Sequence, residues 1–129
     1  MDLQETMQIK ALFYFMGRGL EIISRTNEDF IEEFEDLDGI FGWNVGDVSC
    51  YLVADEGKFN IHLDAKHDEP TVEFILEDFN IAVQILKGEL DGTSAYMAGD
   101  LNIVGDIQMG MKFSQVAEWL TEMLVDLLS

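Results

Sequence analysis

The chain has 129 residues, 48% of them apolar, and a formal net charge of −19. That length supports one domain with a real core and would leave two domains each marginal. The charge argues against nucleic acid and anionic membrane surfaces as partners, since a surface this acidic repels phosphates, and no apolar run reaches the roughly 18 residues of a membrane span.

Residues 3–24 read as a helix. Leu3, Met7, Ala11 and Tyr14 form one stripe, while Leu12, Phe13, Phe15 and Met16 make its middle apolar on every side. Such a helix must be covered by its own domain, by a second copy of the chain, or by the mouth of a ligand cavity. Packing on its own domain or on a twin is the plainer reading. Residues 1–25 carry three acids and three bases, so the whole net charge falls on residues 26–129. Asp2 and Glu5 stand where a secretory signal needs basic residues. The lone Cys50 has no partner for an intramolecular disulfide and reads as a small buried hydrophobe. The expected location is cytoplasmic.

Thr26-Asn27-Glu28-Asp29 has the form of a helix start, and Phe30, Ile31, Phe34 and Leu37 supply an apolar face up to a stop at Asp38-Gly39. Ile40 to Gly46 then reads as a glycine-rich joint holding Phe41 and Trp43. Three strands follow, at Asp47–Ala54, Lys58–Lys66 and Thr71–Glu77. In the second, Phe59, Ile61, Leu63 and Ala65 face one way and Asn60, His62 and Asp64 the other, so one face of the sheet is wet. Asp55-Glu56-Gly57 is a short hairpin turn, and a three-stranded antiparallel meander is the simplest arrangement. Asp78 caps a helix whose face is Phe79, Ala82, Val83, Leu86 and Leu90, with Gly88 as a left-handed stop. A short helix from Gly92 to Ala98 ends at Gly99, and Leu101–Val104 is a strand closed by Gly105. From Asp106 a last helix carries Val116, Trp119, Leu120, Met123, Leu124, Leu127 and Leu128 on one oily face.

Catalytic signals are sparse. No nucleophile elbow surrounds Ser49, Ser94 or Ser114, and there is no phosphate-cradling glycine loop and no cysteine pair. His62 and His67 would fall on a strand and on a turn, which is short of the three fixed ligands zinc needs. Asp100 to Gly105 opens like a calcium loop, but Val104 and Met111 stand where oxygen ligands belong. No catalytic group, metal or cofactor is therefore expected. What stands out is soft apolar surface: seven methionines and fourteen aromatics, with Met97, Met109, Met111 and Met123 in the last third of the chain. Flexible thioethers can repack around varied shapes, although Met-rich helices are more often ordinary core.

Leu86-Lys87-Gly88-Glu89-Leu90-Asp91, Ala95-Tyr96-Met97, Gly99-Asp100-Leu101-Asn102-Ile103-Val104-Gly105-Asp106 and Met111-Lys112-Phe113, taken together, resemble the closing half of the sterol carrier protein type 2 family. The strands from Asp47 to Glu77 and the helix from Asn27 to Leu37 sit where that family has its own, so the resemblance covers about three quarters of the chain. It implies an α+β fold: an antiparallel-dominated, roughly five-stranded sheet with helices on one face around an apolar tunnel. It also implies a non-enzymatic carrier for fatty acids, sterols or similar lipids. Gly92 stands where the family usually has proline, and residues 1–25 look like a helix added to a carrier-like unit at 27–129.

On that resemblance, the tunnel lining expected here is Phe74, Leu76, Phe79, Val83, Leu86, Tyr96, Met97, Leu101, Ile103, Met109, Phe113, Trp119 and Met123, with the C-terminal helix as a movable wall. The acidic surface lacks a basic mouth for coenzyme A phosphates, which favours fatty acids or neutral lipids. A domain this long has a radius of gyration of about 14 Å, enough to enclose an acyl chain. Sixteen methylenes at about 0.8 kcal/mol each give around 12 kcal/mol before the costs of association. The competing expectation is an interaction module that keeps the fold without the tunnel and dimerises through residues 3–24. Stable membrane insertion is not expected.

Overall fold

A computed structural model of the chain describes residues 1–128, with side chains through Met123. The first helix, α1 (Leu3–Thr26), begins on a capping box. The Asp2 carboxylate accepts the Glu5 N–H at 2.8 Å, and the Glu5 carboxylate accepts the Asp2 N–H at 3.2 Å. Asn27 both ends α1 and starts α2 (Glu28–Phe34): its N–H donates to the Ile23 carbonyl and its side chain accepts the Phe30 N–H. One residue thus turns the chain without leaving helix ends unsatisfied.

Five strands form one sheet: β1 (Gly39–Val45), β2 (Val48–Asp55), β3 (Lys58–Leu63), β4 (Val72–Leu76) and β5 (Asn102–Gly105), in the order β3-β2-β1-β4-β5. All neighbours are antiparallel except β1 and β4, which run parallel. Helices α3 (Phe79–Leu86), α4 (Gly92–Met97) and α5 (Ile107–Leu128) complete the molecule. This is the α+β, antiparallel-dominated architecture expected from the resemblance.

Two local expectations are corrected. The segment read as a glycine-rich joint is β1, the central strand, hydrogen-bonded on both sides and buried from Phe41 to Val45. Its glycines suit the crowding, since a Cβ on Gly42 would sit 3.1 Å from the Glu73 side chain. The meander fails for the same reason: β1 occupies the centre, so β3 and β4 lie at separate positions and residues 64–71 carry the chain between them. That connection is tied to the strands it passes, through Ala65 N–H to the Ser49 carbonyl and Thr71 N–H to the Ile40 carbonyl. The β2–β3 hairpin is as expected, with positive φ at both Glu56 and Gly57.

Register places Phe41, Trp43, Val45, Leu52, Phe59, Val72, Phe74, Leu76 and Ile103 on one face of the sheet. The helices cover that face. Phe13 of α1 meets Trp43 edge-on at 6.4 Å, Phe30 of α2 meets Phe59 at 6.3 Å, and Phe113 of α5 lies 4.9 Å from Phe41 and 5.5 Å from Phe74. Phe113 is the hub of the core. The opposite face is polar: the Ser49 hydroxyl donates to Asn44, whose amide donates to Glu73, and the His62 ring stacks on Tyr51 at 4.5 Å.

Helix α1 belongs to this core. Ile9, Phe13 and Leu20 are fully buried, Met16 and Ile23 nearly so, and Gly17 is in direct contact with Ile61. Its last turns also cover the free edge of β3: Ser24 Oγ accepts the Phe59 N–H, Arg25 donates to the Phe59 carbonyl and Glu21 accepts the Ile61 N–H. Those groups would otherwise be an unpaired strand edge. The outer side of α1 shows Leu3, Met7, Tyr14, Phe15 and Ile22 to solvent. No helix among the described residues is long and apolar enough to cross a membrane.

Candidate functional site

A cleft of about 300 Å³ opens between the β1/β4/β5 end of the sheet and the helices. Its deep part is formed by the buried side chains of Trp43 (β1), Phe74 (β4), Leu101, Ile103 (β5) and Phe113 (α5). Alternation brings the strand residues to one face, because Trp43 pairs with Phe74 and Phe74 with Ile103 in adjacent strands. The walls are half-buried. Ile85 and Leu90 flank the stop of α3, and Ser114, Ala117 and Thr121 come from α5. Asp91, Glu118 and Glu122 are exposed and form an acidic mouth, and among the described residues no lysine or arginine lines the cleft.

Local chain chemistry positions these walls. Gly88 adopts a left-handed φ of 78°, which ends α3, and a Cβ there would press into Thr121 of α5. That glycine sets the distance between α3 and α5. Asp91 caps α4 by accepting from the N–H and the hydroxyl of Ser94. It therefore stays at the mouth. Gly92, where the family usually has proline, sits at the first position of α4 and leaves that short helix intact.

Of the thirteen expected lining residues, the structure brings four to this cleft: Phe74, Leu101, Ile103 and Phe113. Leu76 is in the core at the far end of β4, and Phe79, Val83, Leu86 and Tyr96 are half-buried against that core, outside the cleft. Met97 ends α4 at 80% exposure and Met123 is 60% exposed, so neither lines the cleft. Met109 borders a separate surface groove with Phe34 and Lys112, while the Trp119 indole donates to Glu33 and ties α5 to α2. Composition does not tell which side of a helix meets the cleft. Trp43 escapes the sequence reading because its strand resembles a joint, although the Phe41-Trp43-Val45 alternation is the available signal.

Trp43 is 5% exposed and packed on Phe74 at 4.7 Å, and its indole Nε1 has no acceptor among the described residues. Most buried donors find a partner, so this one is notable. Cys50 is buried, and that burial pushes its thiol far up, which makes it an inert packing group. Among the described residues, no three histidine, cysteine or carboxylate side chains gather into a metal-binding group.

The fold and the cleft define a class: an α+β domain whose helices and sheet flank an apolar recess. The pattern that defines the SCP-2 sterol transfer family matches residues 21–118, and the chain belongs to that family. Its domains are in general lipid-binding rather than catalytic. The fold is similar to that of a Thermus thermophilus protein described as possibly a sterol carrier protein (TM-score 0.66, 20% identity, 90% of this chain and 85% of that one). It is also similar to palmitated SCP2L2 of Aedes aegypti (0.60, 13% identity, 81% and 92%). A third likeness is to Pisa1, an inverting sec-alkylsulfatase of Pseudomonas (0.56, 18% identity, 66% of this chain), of which this chain spans 14%. No curated protein matches the chain.

Proposed function

We propose that this chain binds a long apolar ligand in the cleft between sheet and helices and transfers it without altering it covalently. The observation that carries this reading is the cleft itself: about 300 Å³ with five buried apolar side chains at its base. That volume is at the lower end of the roughly 300–1,000 Å³ of small-molecule sites. The palmitate carried by the Aedes relative supports a fatty acid or a lipid of similar girth. Ligand gains come from apolar burial at about 0.8 kcal/mol per methylene, so affinity should rise with chain length until the recess is full. The site residues proposed are Phe74, Leu101, Ile103 and Phe113, together with Trp43.

The test is native mass spectrometry on freshly purified protein, followed by organic extraction and reconstitution with palmitate, its methyl ester and cholesterol. The expected result is a discrete adduct of lipid mass that disappears on extraction and returns with at least one of the three. A mass that stays bare throughout would contradict the carrier reading.

A further inference from the structure

One side of α1 is core, and the other carries a regular strip of exposed side chains. Leu3, Met7, Ala11, Tyr14, Arg18 and Ile22 all face solvent. At 3.6 residues per turn the six fall within about 100° of the helix circumference, along a strip about 29 Å long. Their spacing, four-four-three-four-four, reads the same from either end. A two-fold axis crossing α1 between Leu12 and Phe13 therefore lays the strip on itself, which is what an interface between identical copies requires. Under that axis Leu3 meets Ile22, Met7 meets the aliphatic stem of Arg18, and the small Ala11 meets the large Tyr14. Lys10 and Phe15, which flank the strip on opposite sides, exchange places in the same way.

Charge favours the same partner. From Leu3 to Thr26 the exposed charged side chains are Lys10, Arg18 and Arg25, while Glu5 is half-buried in the capping box and Glu21 is half-buried on the Ile61 N–H. Lys10 is paired with Asp64 at 3.1 Å, so the border of the strip is close to neutral. The whole −19 falls on residues 26–129. Two copies that meet on α1 thus avoid the repulsion that contact through their acidic surfaces would meet. The geometry points to a homodimer in which the outer faces of α1 from two copies pack antiparallel about that axis. A strip of this length and about 10 Å width covers on the order of 300 Å² in projection and more as accessible area, at the low end of specific interfaces, so the dimer is reversible. Among the described residues α1 contributes nothing to the lining of the cleft, which stays open in both copies. A lipid surface is the competing occupant of an apolar strip, but it has no need of a spacing that is symmetric end to end.

Sedimentation of the full chain over a concentration series should show a reversible monomer–dimer equilibrium in the micromolar range. Its affinity should rise with added salt, the reverse of an interface held by ion pairs, because screening relieves the repulsion between two acidic copies. Ala11→Glu places two like charges beside the axis and should weaken the dimer at least about tenfold, with the circular dichroism spectrum unchanged.

Oxidative crosslinking tests the register, and the native Cys50 is buried and does not compete. Leu3→Cys mixed with Ile22→Cys should crosslink far faster than either variant alone. A chain that stays monomeric at every concentration, Leu3→Cys crosslinking best to itself, or Ala11→Glu dimerising as tightly as wild type would each overturn the inference. A monomer that instead co-sediments with vesicles of phosphatidylcholine and phosphatidylglycerol, and loses that binding in Ala11→Glu, would overturn it too and assign the strip to a lipid surface.

Discussion

A Cβ placed on Gly17 would lie 2.5 Å from Cβ of Ile61, closer than packed atoms approach, so α1 reaches β3 only because that position carries no side chain. Gly17→Val should therefore destabilise by about 1–3 kcal/mol through overpacking, read as a lower denaturant midpoint with an unchanged slope. Glu21, one turn on, is partly buried. Burial alone would raise its pKa, but the Ile61 N–H it accepts and the Arg18 guanidinium beside it outweigh that and hold it below the usual 4.5. A carboxylate lowered on folding stabilises the native state above its unfolded pKa and loses that contribution as pH falls through the folded value. Wild type should accordingly lose stability more steeply than Glu21→Gln below about pH 4.5, with the larger gap between them at pH 7; equal slopes in acid would contradict the assignment. In the cleft, Ala117→Phe puts a ring into the recess and should weaken ligand binding by at least about tenfold with the fold intact. Met97→Lys, on an exposed side chain, should change neither.

The elements are legible where local rules decide them. Asp78 and Gly88 bracket α3, and the hairpin turn at Glu56-Gly57 follows from its position between two alternating runs. They are illegible where tertiary neighbours decide. Gly39, Gly42 and Gly46 read as flexible punctuation, yet between β2 and β4 the same stretch makes a buried central strand, because strand preference follows packing more than intrinsic tendency. The parallel β1–β4 pair leaves no trace in periodicity, since it depends on where residues 64–71 cross. Helix α1 likewise looks like an addition, and nothing in its stripe announces that Ser24, Arg25 and Glu21 close the edge of β3. Deleting residues 1–25 removes five buried apolar side chains, Ile9, Phe13, Met16, Leu20 and Ile23, each worth about 2–5 kcal/mol on truncation, against a total stability of about 5–15 kcal/mol. The truncated chain should be unfolded by circular dichroism and hydrogen exchange; a folded, ligand-binding remnant would show α1 to be dispensable.

For the whole molecule, charge and cavity act on different aspects. With −19 distributed over residues 26–129 and few ion pairs among the described side chains, the folded state bears its own repulsion. Adding salt, which shortens the screening length to about 10 Å at 0.1 M, should raise the melting temperature; a flat response would mean that the acids are already compensated. The binding proposed for the cleft, by contrast, rests on apolar area and should respond little to salt with an uncharged ligand. The resemblance in residues 86–113 makes the fold and carrier class readable, because its glycines and caps are the stops and turns that fold requires. The position of the cleft is not readable, because it depends on how far α5 stands from α3 across Gly88 and Thr121. The most direct measurement is of nuclear Overhauser effects between bound palmitate and the methyl groups of selectively labelled protein. The account predicts contacts to Leu101, Ile103 and Ala117. Contacts to Met7, Met97 or Met109 instead, or none at saturating palmitate, would contradict it.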